Sequence, residues 1–213
     1  MMVSMLSGRK LDRILGKLFG EADISDLWLP FYAISASLTH SRMVVHDRGK
    51  VWQAVRASAS LPGVYPPARI GGQLLVDGGL VNNVPIDIMR TRCGAGTVIA
   101  VDVGGGAANE FAADRDLPTG WQLLKSRLNP WGPRLTAPGI GKILVGSTML
   151  SSKHYLDLLL HEGRVDLFLK LPVRDFELLE FGEYRRLYEI GYEATSKALA
   201  EARPASARSA ADS

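Results

Sequence analysis

Gln73-Leu74-Leu75-Val76-Asp77-Gly78-Gly79, then Pro85-Ile86-Asp87-Ile88-Met89, then Thr97-Val98-Ile99-Ala100-Val101-Asp102-Val103 is the stretch that decides the fold. The first segment reads as a short apolar strand running into a turn. The second starts a helix, with proline in the first turn where its missing N–H costs nothing. The third is a β-branched run that is apolar on both faces, a pattern that belongs to parallel strands covered by helices. Strand, turn, helix and strand in this order predict an α/β architecture.

Upstream, Leu29 to Ser35 and Arg42 to His46 read as strands, and Asp47-Arg48-Gly49-Lys50 has turn chemistry. Trp52 to Ser60 suits a short helix that Pro62 and Gly63 end, and Tyr65-Pro66-Pro67 must be irregular, a natural wall for a pocket. At the N-terminus Leu11, Ile14, Leu15, Leu18 and Phe19 follow helical spacing over residues 9 to 19, with Gly20 placed to end the helix. Such a helix is expected to pack on the protein's own core. Its polar side, with Arg9, Lys10, Arg13 and Lys17, also suits an anionic membrane surface.

Downstream, residues 104 to 140 are rich in Gly, Pro and Ala around Trp121, Leu123, Leu124 and Trp131, which predicts a long surface excursion with one short helix. Packing in the core is the first reading of the two tryptophans, and contact with lipid the second. Ile143 to Leu160 reads as helix, Val165 to Leu171 as a last strand, and Glu183 to Ala202 as a closing helix whose Leu187, Ile190, Ala194 and Ala198 mark its buried face. Residues 1–202 are expected to form one unit, and the Ala/Ser-rich 203–213 a disordered tail.

The 213 residues are 46% hydrophobic, enough for one sizeable core. A net charge of +3 gives no reason to expect nucleic acid as a partner. The single cysteine, Cys93, closes no intrachain disulfide and has no Cys-x-x-Cys spacing, so it reads as a small buried residue in a reducing compartment. No export signal and no run of about 18 apolar residues is present. The expected setting is cytoplasmic, with peripheral membrane contact allowed. No cofactor or metal is expected.

Asp77 at a strand end is the candidate catalytic residue. Two following glycines permit a sharp turn with positive φ and keep the space beside the carboxylate clear. Taken alone, Asp-Gly-Gly is a common turn. In context, Leu74-Leu75-Val76-Asp77-Gly78-Gly79-Leu80-Val81-Asn82-Asn83-Val84-Pro85 resembles the Asp-Gly-Gly/Ala segment of the patatin-like phospholipases. Trp28-Leu29-Pro30, Arg56-Ala57-Ser58, Pro66-Pro67, Gly120-Trp121 and Arg127-Leu128-Asn129-Pro130-Trp131 resemble the neuropathy target esterase branch in the same order, over roughly residues 5 to 195.

The resemblance implies a patatin-like sheet covered by helices. It also implies hydrolysis of acyl esters of phospholipid or lysophospholipid substrates by a serine-aspartate dyad without histidine. Asp77 stands at the family's aspartate, the base that takes the serine proton as the hydroxyl attacks. Gly78, Gly79, Asn82 and Asn83 are the expected motif and loop support, the asparagines serving either to hold Asp77 or to cap the turn before Pro85.

The family's Gly-x-Ser-x-Gly nucleophile elbow and Gly-rich oxyanion loop do not occur in the chain. The domain therefore reads as truncated at its N-terminus, with a missing N-terminal catalytic segment as an implied partner. Ala33-Ile34-Ser35-Ala36-Ser37 is the nearest small-x-Ser-x-small pattern, but it leads into a strand where an elbow needs a helix. His40, His46, His154 and His161 lack a paired nucleophile and read as solvated or core residues. Gly104-Gly105-Gly106 has Asn109 where a dinucleotide fingerprint needs its third glycine. Two functions follow: the Asp-bearing part of a serine lipid esterase, inactive alone, or a non-catalytic module that binds lipid or a protein partner.

Overall fold

A computed structural model describes residues 6–104, 140–173, 176 and 181–202. The excursion with Trp121 and Trp131, residues 105 and 106 of the glycine run, and the C-terminal tail lie outside the described residues. The architecture is α/β, and the chain divides into two compact units: Met1–Asn83 with Ala112–Tyr155, and Val84–Phe111 with Leu156–Ser213.

The first unit is built on a four-stranded sheet in the order β2-β1-β4-β3, formed by β1 (Ala33–Ser37), β2 (Arg42–His46), β3 (Ala68–Ile70) and β4 (Gln73–Asp77). All three pairings are antiparallel. The sheet that carries Asp77 is thus not the parallel kind that the run at 97–103 suggests. β1 also begins later than the expected Leu29. Pro30 has no N–H to give a ladder, and Trp28 and Leu29 stand exposed ahead of the strand.

α2 (Val51–Ser58) covers one sheet face, where Ala57, Ala68 and Leu75 pack with Val44 and Ile70. Val51 and Ala54 close a second cluster with Ile24, Phe31 and Ala33. α1 (Gly8–Phe19) packs on α2 and ends, as expected, at Gly20 with φ +53°. The two helices are joined by Arg56, which is buried. Its Nε donates to Asp12 Oδ1 at 2.7 Å, Nη1 to Ser60 Oγ, and Nη2 to the Pro66 carbonyl at 2.9 Å. A buried guanidinium needs this many acceptors, because an unpaired one would carry the full cost of its desolvation.

In the second unit β5 (Ile99–Asp102) runs parallel to β6 (Leu167–Lys170). The core gathers Val84, Ile86, Val98, Ala100, Leu156 and Leu159, with Cys93 half-buried against it as its size suggested. These residues come from α4 (Ile86–Cys93), the strand region and the end of α5 (Ile140–His161). Asp166 accepts from the Val98 N–H at 2.7 Å and from Arg90 at 2.6 Å, tying the strands to α4. The expected face of α6 (Tyr184–Ala202), with Leu187, Ile190, Ala194 and Ala198, is half-buried.

β5 corrects the reading of 97–103 as apolar and covered on both sides. Ala100 is buried, but Ile99 is 48% and Val101 42% exposed, and Val103 is exposed beyond them. One face of this strand thus presents two branched aliphatic side chains, with Val103 just past its end. Among the described residues no helix is long and apolar enough to cross a membrane.

Candidate active site

Asp77 closes β4, its N–H donating to the Ser60 carbonyl at 3.1 Å. The chain turns at once into α3 (Gly79–Asn82), a single turn in which the N–H groups of Val81 and Asn82 both reach the Gly78 carbonyl. Asp77 Oδ1 accepts from the Gly79 N–H at 2.7 Å, so the carboxylate is aimed by the first free donor of that turn. The side chain is half-buried. Burial pushes its pKa above the ordinary carboxylate value, and the Gly79 N–H partly opposes that rise. A carboxylate with a raised pKa is a better proton acceptor near neutral pH than an exposed one.

Of the two expected roles of the glycines, clear space beside the carboxylate is present and positive φ is not. Gly78 has φ −68° and ψ −25°, a right-handed conformation open to any residue, and Gly79 does not have positive φ either. What excludes a side chain is space. A Cβ on Gly78 would lie 2.2 Å from the Ile34 carbonyl oxygen of β1, and one on Gly79 would lie 2.9 Å from Asn83 Oδ1 and 3.0 Å from Asp77 Oδ1. The turn is pressed against the neighbouring strand, and the carboxylate occupies the volume a larger residue would take.

Asn82 is buried directly behind this turn, whereas the Asn83 side chain is exposed. The Asn83 N–H donates to Ser152 Oγ of α5 at 2.9 Å, and Ser152 is itself buried. Ser152 was invisible in the sequence as part of the site. A serine inside a helical stretch carries no local signal of a contact 69 residues away.

The register places Ser35 opposite Asp77, and the alternation of strand residues puts Ser35, His46 and Asp77 on one sheet face. Ser35 Oγ and His46 Nε2 are 2.7 Å apart. Burial lowers the His46 pKa, with Asp47 opposing, which favours the neutral imidazole. Ser35 is fully buried, so no substrate carbonyl reaches its Oγ. The pair satisfies a buried hydroxyl and does not form a nucleophile. His40 and His161 are exposed, and so is His154. Among the described residues no group of His, Cys, Asp and Glu is arranged to hold a metal ion. A cavity of about 600 Å³ lies apart from Asp77, between α1, α2 and β3, with Arg9, Trp52, Arg56, Pro66 and Arg69 in its walls.

The sequence profile of the family described as patatin-like phospholipase matches residues 3–90, a span that includes the whole Asp77 turn. The human protein named patatin-like phospholipase domain-containing protein 6 is 36% identical over 192 residues, covering 89% of this chain and 14% of its own length. The chain belongs to the patatin-like phospholipase family. Within that family, lysophospholipase NTE1 of Mycosarcoma maydis is 36% identical over 197 residues, covering 92% of this chain and 10% of its own length. Patatin-like phospholipase domain-containing protein 7 of Mus musculus is 34% identical over 192 residues. These relatives agree with the neuropathy target esterase branch that the segments from Trp28-Leu29-Pro30 to Arg127-Leu128-Asn129-Pro130-Trp131 resemble. This patatin-like chain spans only about one seventh of the length of the human relative, or less in the fungal one.

Proposed function

We propose that the chain is the Asp-bearing part of a serine esterase that hydrolyses acyl esters of phospholipids or lysophospholipids. The observation that carries this reading is the Asp77 carboxylate itself. It sits at the C-terminal end of β4, with one oxygen fixed by the Gly79 N–H and its pKa raised by burial. In this reading Asp77 takes the proton of a serine hydroxyl as it attacks the acyl carbon. Water then releases the acyl group from the serine, and backbone N–H groups stabilise each oxyanion. The 213 residues hold no Gly-x-Ser-x-Gly elbow, and fully buried Ser35 does not replace it. Serine and oxyanion loop therefore come from a catalytic segment outside these residues, Asn82 and Asn83 support the turn, and the reaction needs no cofactor. The reading keeps a cytoplasmic setting with peripheral membrane contact allowed, and the exposed Trp28 and Leu29 favour that contact.

The second reading, a non-catalytic module that binds lipid or protein, is favoured by the open aliphatic face of β5. The two are separated by assaying lysophosphatidylcholine and phenyl valerate with the 213-residue chain and with a longer protein that includes the elbow. The first reading expects turnover from the longer protein alone. Fluorophosphonate labelling of the 213-residue chain would overturn it and make Ser35 the residue to mutate.

A further inference from the structure

The outward face of α1 has a composition that neither packing nor the Asp77 site uses. Lys10, Arg13, Ile14, Lys17 and Leu18 follow the i, i+3, i+4, i+7, i+8 spacing of one helical stripe, and all five are exposed. Leu18 is 70% and Ile14 46% exposed. The inward side of α1 holds buried Leu15 and Gly8, and it also holds Asp12, the helix's one acidic residue, paired with Arg56. The outer stripe therefore mixes three cations with two branched aliphatic side chains and contains no anion.

We propose that this stripe docks the chain on an anionic lipid bilayer, with α1 lying in the interface plane. Lysine is depleted in protein–protein contacts, which argues against a protein as the occupant. At a bilayer interface the same mixture is favourable: Ile14 and Leu18 enter the acyl boundary, while Lys10, Arg13 and Lys17 reach the phosphates on flexible apolar stems. The inference extends the lipid-substrate reading by naming the surface that meets the membrane. It does not depend on catalysis, because binding is measured without turnover, so either reading can fail alone.

The test is co-sedimentation of the 213-residue chain with vesicles of pure phosphatidylcholine and of phosphatidylcholine with about one third phosphatidylserine. Binding is expected to the anionic vesicles only and to fall with added salt. Arg13→Gln with Lys17→Gln should weaken it about 30-fold, from a factor of about five per basic residue near an anionic surface. Ile14→Ser with Leu18→Ser should weaken it by at least about tenfold while keeping the salt dependence. Both pairs lie on the solvent face, and circular dichroism checks that each variant stays folded. No binding by the unmodified chain, or equal binding by both double variants, would overturn the proposal. So would self-association that the Ile14→Ser, Leu18→Ser variant abolishes in a chain that ignores vesicles, because the stripe would then join two copies.

Discussion

Replacing Gly78 with alanine tests whether the Asp77 turn is held by close packing. The added Cβ would stand 2.2 Å from the Ile34 carbonyl oxygen and 2.6 Å from its carbon, both backbone atoms of the adjacent strand. An unstrained carbon–oxygen contact begins near 3.3 Å, so the turn and β1 must part by about 1 Å. No rotamer change relieves a clash with backbone. The cost should therefore reach the upper end of the overpacking range, about 3 kcal/mol. The neighbouring Gly79→Ala makes its closest contacts at 2.9 and 3.0 Å with the ends of the Asn83 and Asp77 side chains, which can swing away. It should cost no more than about 1 kcal/mol and displace the carboxylate instead. Urea unfolding followed by circular dichroism gives both numbers, with the slope checking that the unfolded state is unchanged. A Gly78→Ala midpoint equal to that of the parent would refute the reasoning, since the turn could not then be pressed against β1.

Removing the buried guanidinium by Arg56→Ala should destabilise the fold by about 1–3 kcal/mol, because buried Ser60 and the Pro66 carbonyl lose a donor while the half-exposed Asp12 turns to water; urea unfolding checks it. His46 has a lowered folded pKa, so its contribution is present above the ordinary histidine value and is lost as the pH falls from about 6.5 through the folded value. His46→Gln should flatten the stability-versus-pH curve in that window, and an unchanged acid limb would show that His46 is not buried as neutral imidazole. Asp77 has the opposite sign of linkage for a carboxylate. Its folded pKa is raised, so stability falls as the pH rises from the ordinary carboxylate value through the folded one, and Asp77→Asn should melt higher than the parent at pH 7. The open face of β5 should bind a hydrophobic dye, and Val101→Thr should reduce the signal.

Elements with a strong local pattern were legible in the sequence. Gln73–Val76, the helix after Pro85, the strand near 167 and the last helix all appear within a few residues of their expected limits. The sheet order was not legible, because β1 pairs with β4 across some forty residues and no local signal encodes that partner. The need for clear space beside the Asp77 carboxylate was legible, but the approach of Gly78 to the Ile34 carbonyl was not, because it exists only once the strands have paired. The Ser35–His46 contact was hidden for the same reason, since it depends on the register between β1 and β2. The pattern at 97–103 misled about burial. β-branched residues favour strands whether or not both faces are covered, and Ile99 and Val101 are strand residues that face outward.

The central claim is that Asp77 is the base of a serine-aspartate dyad, and ester turnover by the longer protein with Asp77→Asn tests it most directly. Asparagine keeps the size of the side chain and the oxygen that accepts from the Gly79 N–H, but it cannot take a proton. Turnover of lysophosphatidylcholine should fall about 10²-fold or more, with an unaltered circular dichroism spectrum. Turnover within a few-fold of the parent would contradict the account and leave Asp77 as a residue that only shapes the turn.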